Sequence, residues 1–129
     1  MSVLILVVDD EADVETLFRQ QFRRDLRAER FTLDFSASAS DALQRIEDIE
    51  KRLILVLSDI NMPGMTGLEM LPKIKAMRPD VPVIMITAYA DSQTEANALS
   101  GGAAGVITKP VDFSLLRTEI DSRLAALAG

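Results

Sequence analysis

Strand-like and helix-like patterns alternate along this sequence from end to end, and such alternation admits few folds. Val3–Val8 is a continuous apolar, β-rich run, suited to a strand buried on both faces. Helical spacing follows in Val14, Leu17, Phe18, Gln21, Phe22 and Leu26. Phe31–Phe35 alternates apolar and polar residues, as a half-exposed edge strand does. The next helix has Ser38 or Ser40 as its cap and Ala42, Leu43, Ile46 and Ile49 as its apolar stripe. A third strand, Leu53–Ser58, ends at Asp59, and a helix begins near Gly67 with Leu68, Leu71 and Ile74 inward. Pro72 lies past the first turn, where proline removes a hydrogen bond, and predicts a kink or a late start. Arg78-Pro79-Asp80 turns the chain into a fourth strand, Val81–Ile86, which leads to Thr87-Ala88. Residues 91–100 are helix-like but offer only Ala96, Ala98 and Leu99 to a core, so this helix is weakly anchored. Gly101-Gly102 ends it. Ala104–Thr108 is the fifth strand, followed by Lys109-Pro110. The last helix runs from Phe113 to Leu127 with Leu116, Ile120, Leu124 and Leu127 on one face.

Five strand–helix units joined by short connections require a parallel sheet with right-handed crossovers and helices on both faces. No glycine-rich dinucleotide fingerprint follows the first strand and no phosphate-cradling P-loop is present. The doubly wound, flavodoxin-like strand order 2-1-3-4-5 fits, with its crevice between strands 1 and 3. The 129 residues are read as one domain over 1–129. The run Val3–Val8 is too short to cross a bilayer and has no basic residue before it, so the expectation is a cytoplasmic chain without membrane contact. A net charge of −6 argues against nucleic-acid binding. With no cysteine and no histidine, chemistry falls to carboxylates, hydroxyls, lysines and a hard, oxygen-loving cation.

The carboxyl ends of the strands carry the chemistry. Strand 1 ends in Asp9 and Asp10, strand 3 in Asp59, strand 4 in Thr87 and strand 5 in Lys109, whereas strand 2 ends in Phe35-Ser36-Ala37 with no ionisable group. In the order 2-1-3-4-5 those four strands are neighbours, so their polar ends converge. Each residue alone has an ordinary explanation. Asp59 suits a turn, Asp9-Asp10-Glu11 suits a helix cap, and Lys109-Pro110 suits a solvated loop. Together they form a specific device. Crowded carboxylates repel, a divalent cation relieves them, and an all-oxygen site suits Mg²⁺. A cation and an ammonium clamp a phosphoryl group, and a carboxylate can accept it as an aspartyl phosphate.

The segments Val7-Val8-Asp9-Asp10-Glu11, Ser58-Asp59-Ile60-Asn61-Met62-Pro63-Gly64-Met65-Thr66-Gly67, Ile86-Thr87-Ala88, Gly102-Ala103-Ala104-Gly105 and Thr108-Lys109-Pro110 resemble, in order, those of a receiver domain of the two-component response-regulator family (CheY-like). The resemblance covers essentially the whole chain. It implies that Asp59 is the phosphoacceptor, that Asp9 and Asp10 hold Mg²⁺ (or Mn²⁺) with Asp59 and the backbone carbonyl of Asn61, and that Thr87 is the switch hydroxyl. It further implies that Lys109 contacts the phosphoryl group, that Lys109–Pro110 is cis, and that Asn61 and Tyr89 tune dephosphorylation. The implied donor is a phosphohistidine on a sensor histidine kinase or a histidine phosphotransfer protein. The implied readout is the face of the fourth helix, fifth strand and fifth helix, presented to a partner or a second copy. Val106 stands where the family usually has an aromatic, so Tyr89 or the helix at 91–100 is expected to carry the signal instead. Two other readings compete: a receiver-like module that is never phosphorylated, and an aspartyl-nucleophile phosphatase. The phosphatase would need an acid where Asn61 stands, and a cap for which the chain has no room.

Overall fold

The structure, a computed structural model, describes residues 3–49, 52–89 and 91–128; Met1, Ser2 and Gly129 of the expected 1–129 domain lie outside them. In chain order the elements are β1 (Val3–Val8), α1 (Asp13–Gln21), α2 (Arg23–Arg27), β2 (Thr32–Ser36) and α3 (Ala39–Asp48). There follow β3 (Arg52–Asp59), α4 (Gly67–Met77), β4 (Val83–Thr87), α5 (Ser92–Ser100), β5 (Gly105–Thr108) and α6 (Phe113–Ala128). The five strands form one parallel sheet in the order β2-β1-β3-β4-β5. This is the doubly wound arrangement that the alternating pattern demands. Among the described residues no helix is long and apolar enough to cross a membrane.

The pleat divides the core in two. Val3, Ile5 and Val7 of β1, with Leu55, Leu57, Ile84 and Ile86, pack against Phe18 and Phe22 at the first helical segment and Leu116 and Ile120 of α6. Leu4, Leu6 and Val8, with Val56, Val83 and Met85, face Ala42 and Ile46 of α3, Met70, Leu71 and Ile74 of α4, and Ala98 of α5. Burial on both faces is why the strands read as uninterrupted apolar runs rather than alternating ones.

Several local expectations shift. The first helix is broken at Phe22, whose φ of −107° and ψ of 19° leave the helical region. The break has a tertiary cause. Arg117 of α6 donates from Nη2 to the Gln21 carbonyl at 2.7 Å and lies 5.0 Å over the Phe22 ring. Arg30 joins Asp25 of α2 to Asp121 of α6, the latter at 2.8 Å, so α6 is tied to the α2–β2 turn as well. Pro72 does not delay α4, because a capping box sets its start. Thr66 Oγ1 accepts from Glu69 N–H at 3.2 Å, and Glu69 Oε1 accepts from Thr66 N–H at 2.9 Å. On that helix Met70 is fully buried while Leu68 is half-buried. Of the two candidate caps of α3, Ser38 is the one used, accepting from Asp41 N–H at 3.1 Å. β4 begins at Val83, after Pro82, and β5 at Gly105. Leu99 of α5 is 49% exposed and Leu127 of α6 is 37% exposed, so neither anchors its helix.

One close approach fixes α4 against the sheet edge. Gly67 donates to the Ile60 carbonyl at 2.9 Å, and a Cβ there would stand 2.3 Å from the Asp59 carbonyl oxygen and 3.0 Å from Ile60 Cα. Both obstacles are backbone and cannot rotate away. Gly67→Ala is expected to lower stability by about 1–3 kcal/mol or more, as overpacking against a fixed wall does. Gly105→Ala meets nothing within 4 Å and is expected to stay within about 1 kcal/mol of the parent. Urea unfolding midpoints at constant m-value distinguish the two.

Candidate functional site

The acidic site is assembled by strand register. Val8 lies beside Ser58, Asp59 beside Ile86, and Thr87 beside Thr108. The chain therefore leaves β1 at Asp9, β3 at Asp59 and β5 at Lys109 along one edge. Asp9 N–H continues the β1–β2 ladder by donating to the Ser36 carbonyl at 3.0 Å, and Lys109 N–H continues the β4–β5 ladder to the Thr87 carbonyl at 2.8 Å. The Lys109–Pro110 peptide bond is cis.

Asp9, Asp10 and Asp59 each present a carboxylate oxygen, and these oxygens all lie within 4.8 Å of one another. Asp59 is 5% exposed and Asp10 is exposed, so the cluster opens to solvent on the Asp10 side. Asn61 N–H donates to Asp59 Oδ1 at 3.3 Å, and Lys109 Nζ donates to Asp59 Oδ2 at 3.2 Å. The two oxygens of Asp59 are thus held by different groups, which fixes the plane of the carboxylate. Asp9 Oδ1 accepts the N–H of Glu11 at 2.9 Å, closing a tight turn between β1 and α1. The acids of this turn do not cap α1. Ala12 occupies the N-cap position without a side-chain bond, which corrects the capping explanation of Asp9-Asp10-Glu11.

Sequence reasoning left Glu11 out of the site. Its Oε1 is 3.2 Å from Lys109 Nζ, which also reaches Asp9 Oδ2 at 3.5 Å. Nothing in local spacing announces a contact across 98 positions; only the parallel order of β1 and β5 about β3 and β4 creates it. The electrostatics follow from this crowding. Burial pushes the Asp9 carboxyl above the ordinary value, with Asp59 and Glu11 adding to the rise, while the Glu11 N–H and Lys109 oppose it. Burial pulls the Lys109 ammonium down, but Asp9, Asp59 and Glu11 outweigh it and hold its pKa above the ordinary lysine value. Lys109 is therefore a permanent cation.

Thr87 is 1% exposed, and its Oγ1 accepts the Tyr89 N–H at 3.1 Å, leaving its own hydrogen to donate. The Tyr89 side chain stands in solvent, the residue being 76% exposed. Val106, beside Met85, is half-buried against the core on the α3–α4–α5 side. Two clefts flank the acidic turn. A polar one of about 280 Å³ is lined by Asp10, Ser36, Asp41 and Arg45 among others. A largely apolar one of about 400 Å³ lies between Val14, Leu17 and Phe18 on one side and Ile86, Pro110 and Val111 on the other. Glu11 borders both.

Chemically, this is a hard, oxygen-only set of three carboxylates in which burial disfavours the charged form of Asp9. Such a set fits a divalent cation in character, since only a cation of higher charge than an ammonium offsets three acids.

Comparison with known proteins agrees with this geometry. Residues 5–121 match the family described as the response regulator receiver domain. The transcriptional regulatory protein ZraR of Salmonella typhimurium is 35% identical over 121 residues, 94% of this chain and 26% of that protein. The C4-dicarboxylate transport transcriptional regulatory protein DctD of Rhizobium meliloti is 36% identical over 107 residues, 82% of this chain and 22% of that protein. The chain thus spans about a quarter of the length of these relatives. Among solved structures, a CheY-like response regulator receiver domain protein from Methanospirillum hungatei JF-1 superposes with a TM-score of 0.84 at 30% identity, covering 98% of this chain and 96% of that one. With the sheet order, the acidic edge and the match over residues 5–121 all in agreement, this chain belongs to the response regulator receiver domain family.

Proposed function

We propose that this chain is a phosphorylatable receiver that takes a phosphoryl group on Asp59 and acts as a switch in two-component signalling. The observation that carries the reading is the nearly buried Asp59 carboxylate, bridged at 3.2 Å by a permanently charged Lys109 and clustered with Asp9 and Asp10. The donor is a phosphohistidine of a sensor histidine kinase or histidine phosphotransfer protein, in keeping with a chain that has no histidine of its own. An oxygen of Asp59 bonds to phosphorus while the phosphorus–nitrogen bond breaks and the imidazole keeps the electron pair. Asp9, Asp10, Asp59 and the Asn61 carbonyl would hold Mg²⁺ (or Mn²⁺), which when bound neutralises charge on the transferring group. Lys109 supplies a cation to the phosphoryl oxygens, and the buried Thr87 hydroxyl supplies a hydrogen bond.

The modification is stoichiometric, so the domain is a switch rather than a metabolic enzyme, and it works in the cytoplasm. The face formed by α5, β5 and α6 presents the state of Asp59 to an output, a partner or a second copy of the chain. With Val106 in place of an aromatic, Tyr89 or α5 carries that message. α5 is suited to it, because Ala98 is its one buried residue. The acidic balance of the chain leaves nucleic acid and membrane to other parts of any larger assembly.

Incubation with acetyl phosphate and Mg²⁺ is expected to add the mass of one phosphoryl group to the parent and none to Asp59→Asn. Lys109→Met is expected to slow uptake by roughly 10²-fold, the scale of losing one electrostatic donor. Equal labelling of Asp59→Asn, read by intact mass, would overturn the assignment.

A second expectation concerns the acids. Because the folded protein raises the Asp9 pKa above 3.8, it binds that proton more tightly than the unfolded chain does. Stability therefore falls as pH rises through the window above 3.8, and the deficit persists at neutral pH. In EDTA at pH 7, Asp9→Asn is expected to melt higher than the parent. Adding Mg²⁺ should raise the Tm of the parent much more than that of the variant, because the cation binds only where the acids are intact.

A further inference from the structure

Lys109 has more anionic partners than a single phosphoryl-contacting cation requires. Its Nζ lies 3.2 Å from Asp59 Oδ2, 3.2 Å from Glu11 Oε1 and 3.5 Å from Asp9 Oδ2. The ammonium donates hydrogen bonds to Asp59 and Glu11 and forms a longer ion pair with Asp9. The three are not alike. Asp9 and Asp59 belong to the oxygen cluster and their side chains are 8% and 6% exposed, whereas Glu11 lies outside the cluster with its side chain 64% exposed. The ammonium is thus tethered between two deep carboxylates and one at the mouth. The tether at the mouth is directed, because the turn that bonds Glu11 N–H to Asp9 Oδ1 carries the Glu11 side chain between the two clefts.

We propose that Glu11 is a positioning residue for Lys109: it holds the ammonium at the mouth of the site and competes for it when Asp59 carries a phosphoryl group. The inference rests on the reading of Asp59 as the acceptor. A phosphoryl group brings up to about two negative charges and three oxygens to a carboxylate already 3.2 Å from Nζ. The more highly charged group on Asp59 draws the ammonium toward the phosphoryl oxygen that Thr87 and the cation leave free, in competition with the exposed Glu11 carboxylate. The Glu11–Lys109 pair is therefore stronger in the unmodified state and biases the protein toward it. An exposed ion pair is a modest device, so its removal is expected to raise the ratio of modified to unmodified protein about two- to fivefold.

The test uses the full chain with acetyl phosphate and Mg²⁺. In uptake, an Asp59 oxygen bonds to phosphorus and acetate leaves with the electron pair; in loss, a water oxygen bonds to phosphorus and Asp59 recovers its pair. The steady-state ratio is read by intact mass for the parent, Glu11→Gln and Glu11→Asp across a sodium chloride series. Glu11→Gln should show the raised ratio at low salt, and the difference should shrink as salt screens the exposed pair. Glu11→Asp keeps the charge but withdraws it by one methylene from Lys109, and should follow Glu11→Gln. A ratio unchanged in Glu11→Gln, a salt-independent difference, or Glu11→Asp matching the parent would each overturn the proposal. If the parent itself takes up no phosphoryl group, the acceptor reading and the role of Glu11 fall together. If the parent is modified on Asp59 and the variants match it, only Glu11 is acquitted.

Discussion

Three parallel ladders bring Val8 beside Ser58, Asp59 beside Ile86 and Thr87 beside Thr108, and every polar group of the site depends on that register. Each strand delivers its last residue or the one after it to one edge, so a slip by one position in any ladder would turn a carboxylate or the lysine to the opposite face. The register is itself held by the two apolar clusters on either side of the sheet, since Ile5, Leu6, Leu55, Val56 and Leu57 are all 0% exposed. Chemistry at the edge thus relies on hydrocarbon packing several residues away.

The edge would be unfavourable as a bare collection of acids. Asp9 shows this directly, with its carboxyl pushed up by burial and by its acidic neighbours. Lys109 relieves part of the repulsion by touching three carboxylates at once. It is placed to do so by the hydrogen bond from its own N–H to the Thr87 carbonyl. A single ammonium cannot neutralise three acids, and the remaining negative potential makes the cluster receptive to a divalent cation. The site therefore combines local instability with a rigid frame, a combination expected where binding or chemistry occurs.

The sheet order and the converging strand ends were legible because the strands are short, apolar and followed at once by polar residues. The positions of Asp9, Asp10, Asp59, Thr87 and Lys109 follow from topology alone. What was not legible needed contacts between distant segments. The break at Phe22 sits inside a good helical pattern and depends on Arg117 reaching the Gln21 carbonyl from α6. Glu11 has an ordinary place beside a helix start, and its contact with Lys109 exists only once β1 and β5 are placed about the central strands. Met70 joins the buried cluster beside Leu71 and Ile74, while Leu68 packs at its margin, a ranking that the helical period alone does not give. Leu127 satisfies the periodicity of α6 but is 37% exposed, near the end of the helix.

The two outer helices differ in how much of their surface is committed. α6 spends Leu116, Ile120, Arg117 and Asp121 on contacts to the sheet, to the α1–α2 segment and to the α2–β2 turn. α5 commits Ala98 and, in part, Thr94, leaving its other positions exposed over a helix of 9 residues. Substitutions on that exposed surface change shape and charge with little effect on stability. The shape and charge of such a helix can change while the acidic edge stays untouched. α5 is the part of this fold whose surface is least tied to the arrangement of the strand ends.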